Sequence, residues 1–489
     1  MNDNLTRRLF LKKFSLSTFF LSLPLSTLSC NKKRKYPNII LINVDDLGWI
    51  DLGCYGSRYY ETPNIDQLAS QGMRFTNAYA AAAVCSPTRA SIMTGKYPAR
   101  LEITDWIRAE FQGGGKENIL GYTQDSNKKL ACPLNPFHME LSEVTLAEIL
   151  KQRDYSTCHI GKWHLGTNEW YPENQGFDIN VAGCDYGEPP SYFDPYIRYP
   201  NDWYPDTLKG FPTMKSREKG EYLTDREADE AIEFIKNAKG IPFFLNLCHY
   251  AVHTPIQAKQ ELIEKYKDKP ITNQKSPKYA AMIESVDESL GNILNTLKDL
   301  KLINNTIIIF TSDNGGLLSE TATDNTPLRL GKGYPYEGGI RIPLIIKWPP
   351  YVKGNSISEI PVISPDIFST ICDIVDIDIS NDTQIDGKSL LPILSSAGNI
   401  NRDAIFWHFP HYRGNDIKPY SIVRSGKWKL IKNYEEESFE LFNLHIDISE
   451  SQDLSEKYPD KVVELDKILT VWLKKVNAKL PMKNPNYVE

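Results

Sequence analysis

Short apolar runs recur along the chain and alternate with longer stretches of helical spacing. Residues 39–44, 155–160, 243–248, 306–311 and 344–347 are rich in β-branched and aromatic side chains and lack the polar alternation of a half-exposed strand, so they predict central strands covered on both faces. Residues 142–152, 224–237 and 278–300 space their apolar positions along one helical face, and Thr224 followed by Glu227 has the form of a capping box. Strand and helix in alternation predict an α/β body over residues 36–390: a large, mostly parallel sheet flanked by helices. From about residue 395 the texture changes. Residues 404–408, 420–431 and 439–444 alternate polar with apolar positions and precede a helical stretch at 460–476, which predicts a smaller antiparallel α+β subdomain over residues 395–489.

At 489 residues the chain exceeds the usual size of one hydrophobic core, in keeping with that division. The formal net charge of -6 lacks the basic excess that a nucleic-acid partner demands, so an anionic ligand would have to be drawn by local charge. Residues 1–30 read as an export signal. Thr6-Arg7-Arg8-Leu9-Phe10-Leu11-Lys12 fits the twin-arginine pattern, and an uncharged stretch from Phe14 to Ser29 ends at Leu28-Ser29-Cys30, the form of a lipoprotein cleavage site with Thr27 where a leucine is usual. Lipidation of Cys30 would tether the mature protein to a membrane; an ordinary cleaved signal would release it. Both readings place the protein outside the cytoplasm of a bacterium, periplasmic or anchored. The other cysteines follow no framework spacing, which predicts few disulfides or none.

In open α/β sheets ligands bind beyond the carboxyl ends of the strands. Asp45-Asp46, Gly161-Lys162-Trp163-His164, His249 with His253, and Asp313-Asn314 all stand at such ends. Asp45, Asp46, Asp313 and Asn314 offer hard oxygens, which suit Ca²⁺ first and Mg²⁺ second rather than zinc; an acidic pair alone would as readily cap a turn. Cys85-Ser86-Pro87-Thr88-Arg89 leads into a short predicted helix closed by Gly95, with Pro87 in its first turn. The positive end of that helix favours an anionic ligand at Cys85, and Arg89 follows one turn later. A buried, inert thiol is the alternative reading of Cys85.

Cys85-Ser86-Pro87-Thr88-Arg89 with Met93-Thr94-Gly95 resembles the signature of the type I, formylglycine-dependent sulfatases, arylsulfatase-like members of the alkaline phosphatase superfamily. Tyr155-Ser156-Thr157 with Gly161-Lys162-Trp163-His164 resembles the second signature, with Asp154 where a glycine is usual. The resemblance runs on through Asp313-Asn314-Gly315-Gly316 and Gly331-Lys332-Gly333 to Glu337-Gly338-Gly339-Ile340-Arg341-Ile342-Pro343. It implies an alkaline phosphatase-like fold and a hydrolase whose Cys85 is oxidised to formylglycine by a maturation enzyme. One hydroxyl of the hydrated aldehyde, held by the cation beside Asp45, Asp46, Asp313 and Asn314, would attack sulfur; loss of a proton from the other would expel sulfate. The resemblance further implies that Arg89, Lys162 and Lys332 neutralise the transferring group, that His253 protonates the departing alcohol, and that His164 serves the second step. His249 reads as a packing residue.

The specificity pocket is less defined. Asp105 and Arg108 follow the nucleophile helix, and His408, His411 and Arg413 open the C-terminal subdomain; they are candidates to line a sugar subsite, with surface loop or subdomain interface as the other reading. By analogy with similar bacterial enzymes the substrate is a sulfated oligo- or polysaccharide, a galactan or a glycosaminoglycan. Two rivals stay open: a phosphonate or phosphodiester hydrolase of the same superfamily, and an inactive glycan-binding relative in which Cys85 is never converted.

Overall fold

A computed structural model describes residues 36–488 apart from residues 119, 201–206, 239, 320, 397 and 415. The expected export signal and Cys30 lie outside the described residues. Among the described residues no helix is long and apolar enough to cross a membrane.

Eight strands form the main sheet: β1 (Asn38–Val44), β2 (Met73–Phe75), β3 (Ser156–Gly161), β4 (Ile179–Val181), β5 (Phe243–His249), β6 (Thr306–Ser312), β7 (Leu344–Lys347) and β8 (Ser356–Ser358), in the order β8-β2-β7-β6-β1-β5-β3-β4. Neighbours run parallel except that β7 lies antiparallel to β6 and to β2. All five expected strands are present, and 344–347 is the one that reverses direction. Successive residues of β1 feed opposite cores: Ile40, Ile42 and Val44 join one cluster, Ile39 and Leu41 the other. That double burial explains why the run carries no polar alternation.

Helices cover both faces. Ala90, Ile92 and Met93 of α1 (Cys85–Thr94) and the apolar side of α2 (Leu146–Lys151) pack on one face, while α3 (Leu223–Asn237) and α4 (Pro277–Asp299) pack on the other. Two local expectations are corrected. Helix α2 begins only after Thr145, whose Oγ1 accepts from Glu148 N at 3.3 Å, so residues 142–144 precede it. Helix α3 begins at Leu223 without a side-chain cap, and Glu227 turns away from the helix end to accept from His249 Nδ1 at 2.6 Å. Asp154, in the place where glycine was expected, adopts φ 59, the left-handed conformation that glycine adopts freely and aspartate tolerates.

The C-terminal sheet is antiparallel: β9 (Ile405–Phe409), β10 (Tyr420–Ser425), β11 (Trp428–Asn433) and β12 (Ser438–Asn443), with α5 (Pro459–Lys475) packed on it. The run expected as one strand over 420–431 is a hairpin turning at Gly426. This sheet closes against Tyr79 and Ala81–Val84, the segment that leads into Cys85. A buried ionic cluster pins the contact. Glu337 accepts from Tyr79 OH at 2.7 Å, Arg341 Nε at 2.7 Å and Lys429 Nζ at 3.1 Å. Glu450 stands 2.7 Å from Lys429 Nζ and accepts from Glu337 N at 2.6 Å. The seven described cysteines are free thiols.

Candidate active site

The carboxyl ends of four strands deliver chemistry to one edge of the sheet. Asp45 and Asp46 follow β1, Lys162 and His164 follow β3, His253 follows β5, and Asp313 with Asn314 follows β6. Gly161 ends β3 at φ 88, where a Cβ would stand 2.1 Å from Cys248 O, so only glycine can make the turn that presents Lys162. Asp46 (φ 59) and His164 (φ 61) also adopt the left-handed conformation. For such residues it costs on the order of 1–3 kcal/mol and persists only where the surroundings enforce it.

Cys85 opens α1, and Val84 at the N-cap provides no side-chain bond, which leaves amide donors at the positive helix end. The hydroxyls of the cysteine motif are structural. Ser86 Oγ donates to His164 O at 2.9 Å and accepts from Ile107 N at 3.0 Å, while Thr88 Oγ1 donates to Ala82 O at 3.2 Å.

Acids and cations interlock around the cysteine. Lys162 Nζ donates to Asp45 Oδ2 at 2.6 Å. Arg89 places Nε 2.9 Å and Nη2 2.8 Å from Asp313 Oδ2 and donates Nη1 to Lys162 O at 2.7 Å. Lys332 Nζ lies 2.7 and 2.8 Å from the two oxygens of Asp46, which also accepts from Asn314 Nδ2 at 2.8 Å. His253 Nε2 stands 3.5 Å from Asp46 Oδ2.

These contacts set the protonation states. Burial, with Asp313 adding, pushes Asp45 well above the usual carboxylate range. Burial opposes ionisation of Asp46 too, but Lys332 and His253 hold its carboxyl below the ordinary value. The Cys85 thiol is held well below its ordinary value by Lys162 and Lys332 against the cost of burial. Burial drives His164 down to about 4. Its Nε2 lies 2.7 Å from Ile107 O, a pure acceptor, so the proton sits on Nε2 and Nδ1 keeps its lone pair. His253 is the opposite case. Burial and Lys332 work against its charge, yet Asp46 and Asp45 raise it above the ordinary value, and Nδ1 donates to Thr254 O at 2.9 Å.

The donor set fits a hard cation. Asp45, Asp46, Cys85 and His253 bring one atom each within 4.8 Å of one another. Asp45 Oδ1 and Asn314 Oδ1 are buried without a hydrogen-bond donor. Two donorless oxygens beside mutually repelling carboxylates are what a divalent cation satisfies.

All ten residues expected in the catalytic and metal sets are thus brought together. Asp105 is close enough for Cys85, Arg413 and Arg108 to act on it; burial carries its carboxyl up to about 6. His411 bonds Thr104 Oγ1 at 2.7 Å through Nε2 and, driven to about 3 by burial, braces the segment that carries Asp105. His408 is a correction: it is buried between Ser421 Oγ (2.7 Å) and Lys479 O (3.0 Å), away from the cluster, because its position on β9 turns it into the C-terminal sheet. His249 packs as expected, between Glu227 and Ser289 Oγ at 3.0 Å. Glu188 was not foreseen. It accepts from Thr254 Oγ1 at 3.4 Å beside His253, a contact that no local pattern announces.

Residues 37–377 match the family model of the sulfatases, and residues 330–479 match that of the N-sulphoglucosamine sulphohydrolase C-terminal region. A sulfatase of Formosa agariphila is 32% identical over 96% of this chain and 95% of its own. The N-acetylgalactosamine-6-sulfatase of Homo sapiens is 33% identical over 78% of this chain and 69% of its own. The crystal structure of Ps i-CgsB in complex with k-i-k-neocarrahexaose superposes with a TM-score of 0.72 at 29% identity, covering 93% of this chain and 95% of that one.

Proposed function

The chain belongs to the sulfatase family, and from that premise we propose that this sulfatase hydrolyses a sulfate ester of a carbohydrate at Cys85, once the thiol is oxidised to formylglycine. The observation that carries the reading is the meeting of Cys85, at an uncapped helix N-terminus, with Lys162, Lys332, two histidines of opposite character and the donorless oxygens of Asp45 and Asn314. Bound by Asp45, Asp46, Asp313 and Asn314, Ca²⁺ would neutralise charge on the sulfate group, and formylglycine would supply the attacking hydroxyl.

The remaining work falls to the side chains. Lys162 and Lys332 bind the sulfate oxygens, and Arg89 fixes Asp313 and the Lys162 backbone so that these charges are in place before reaction. His253, with Nδ1–H spent on Thr254 O, carries its second proton on Nε2 and gives it to the departing sugar oxygen. His164 takes a proton from the residue 85 hydroxyl on Nδ1 in the second step, its Nε2–H staying on Ile107 O. The oligosaccharide bound to Ps i-CgsB and the amino sugar in the name of the Homo sapiens relative support a glycan, galactan or glycosaminoglycan, over a phosphorus ester. We place the enzyme outside the cytoplasm on the residue 1–30 signal; fractionation of cells carrying Arg7→Lys with Arg8→Lys checks it.

The test is inorganic sulfate release from a panel of sulfated mono-, oligo- and polysaccharides by protein whose residue 85 peptide has the formylglycine mass. Release that Cys85→Ala abolishes establishes the reading. Hydrolysis of a phosphonate or phosphodiester with no sulfate released overturns it.

A further inference from the structure

We propose that Asp105 and Arg413 together hold one hydroxyl of the sugar from which sulfate is removed, the hydroxyl donating to the carboxylate and accepting from the guanidinium; this rests on the proposed function. Both side chains are brought beside the cysteine cluster. Ile107 N donates to Ser86 Oγ at 3.0 Å and its carbonyl accepts from His164 Nε2 at 2.7 Å, so the segment carrying Asp105 is pinned next to Cys85. Arg413 comes from the C-terminal subdomain and lies along Gly333, the residue after Lys332: a Cβ there would stand 3.5 Å from Arg413 Cδ and 3.6 Å from Nε. The two segments touch, His411 Nε2 bonding Thr104 Oγ1 at 2.7 Å, one residue from Asp105 and two from Arg413. Tyr420, whose OH donates to Gly333 O at 3.3 Å, lies in the field of both. Beyond the effect of burial, Asp105 raises its hydroxyl and Arg413 lowers it.

Both groups have bonding capacity left over. Asp105 is half-buried; its Oδ1 accepts from Trp106 N at 2.8 Å, and its Oδ2 has no donor among the described residues. The Arg413 guanidinium makes no hydrogen bond and no ion pair among the described residues. Its Nη1 is enclosed without a partner, while Nε and Nη2 keep accessible surface. Against the burial that raises Asp105, Arg413 is the strongest opposing charge, yet the two form no ion pair. A gap between a carboxylate oxygen without a donor and a guanidinium without an acceptor is filled by a group that donates and accepts at once. A hydroxyl does both. A second anionic group would suit Arg413 but be repelled by Asp105, and an apolar group would leave both unsatisfied.

The experiment measures kcat/KM for wild type, Asp105→Asn and Arg413→Met on the carbohydrate sulfate hydrolysed fastest, on its monodeoxy analogues, and on 4-nitrophenyl sulfate, which carries no hydroxyl. The ratio of carbohydrate to aryl values should fall about tenfold or more in each variant, since a site built to bond a hydroxyl loses most when a partner goes. On one monodeoxy analogue wild type should lose about 10²-fold, and the variants should then differ little from it. The two substitutions lie in separate segments, so either keeps the test valid if thermal melting shows that the other fails to fold. An unchanged ratio in a folded variant overturns the subsite alone. Equal losses on carbohydrate and aryl sulfate assign the pair to the sulfate group and also overturn it, as does a variant loss that persists on every monodeoxy analogue. Wild type that hydrolyses the aryl sulfate and no carbohydrate sulfate overturns the carbohydrate reading together with the subsite.

Discussion

Around Cys85, Asp45, Asp46 and Asp313 face Arg89, Lys162 and Lys332; behind the C-terminal sheet, Glu337 and Glu450 face Arg341 and Lys429. Both clusters are buried, and both bear the desolvation cost of their charges. In the second every carboxylate oxygen has a donor or cation beside it: Glu337 gathers three donors, and Glu450 Oε1, which accepts no hydrogen bond, stands 2.7 Å from Lys429 Nζ. The first leaves Asp45 Oδ1 and Asn314 Oδ1 without hydrogen-bond donors, Arg89 Nη2 standing 3.6 Å from the former, and burial with Asp313 adding drives Asp45 up. Equal burial therefore separates a structural network from a binding site by what each leaves unsatisfied.

The contrast can be broken most severely by removing the proposed cation. Chelation should abolish turnover and lower stability by about 2.7 kcal/mol relative to protein holding cation at a hundredfold excess over Kd. Asp313→Ala should do the same in the presence of cation; full metal occupancy by elemental analysis would remove Asp313 from the ligand set. Lys429→Ala strikes the other cluster. It strands Glu337 and Glu450 and should cost about 3–5 kcal/mol of folding stability in denaturant titration, while the kcat of the folded fraction stays near wild type.

His253→Ala should sharpen the division within the catalytic cluster, lowering kcat about 10²-fold on a sugar sulfate and much less on an activated aryl sulfate. Equal losses would deny it the role of acid. The smallest effect belongs to Glu450, which burial, with Glu337 adding and Lys429 opposing, raises to about 7. A raised carboxyl holds its proton more tightly in the folded chain, so its contribution is full at acid pH and is lost as pH rises through about 7. Wild type should lose about 1–2 kcal/mol relative to Glu450→Gln between pH 6 and 8, read from melting curves.

The catalytic edge was legible because a strand buried on both faces advertises itself as an apolar run, and whatever polar residue follows it must lie at the sheet's end. Asp45, Lys162 and Asp313 were placed at that edge in this way, whereas His253 was told from His249 by the family resemblance. Glu227 was misjudged because a capping box and a buried histidine partner look alike three residues into a helix. His408 was misjudged because a polar residue in an aromatic stretch looks exposed until its strand is paired with Ser421. Glu188 gave no signal at all: its partners, Arg198 and Thr254, come from separate segments that only the fold brings together.

Ala81–Val84, the segment that leads into Cys85, packs against a sheet whose first strand begins at Ile405. On a ribosome, that sheet is made on the order of tens of seconds after the cysteine. Until the C-terminal strands arrive, the segment that leads into this thiol lacks the sheet it packs against in the finished fold.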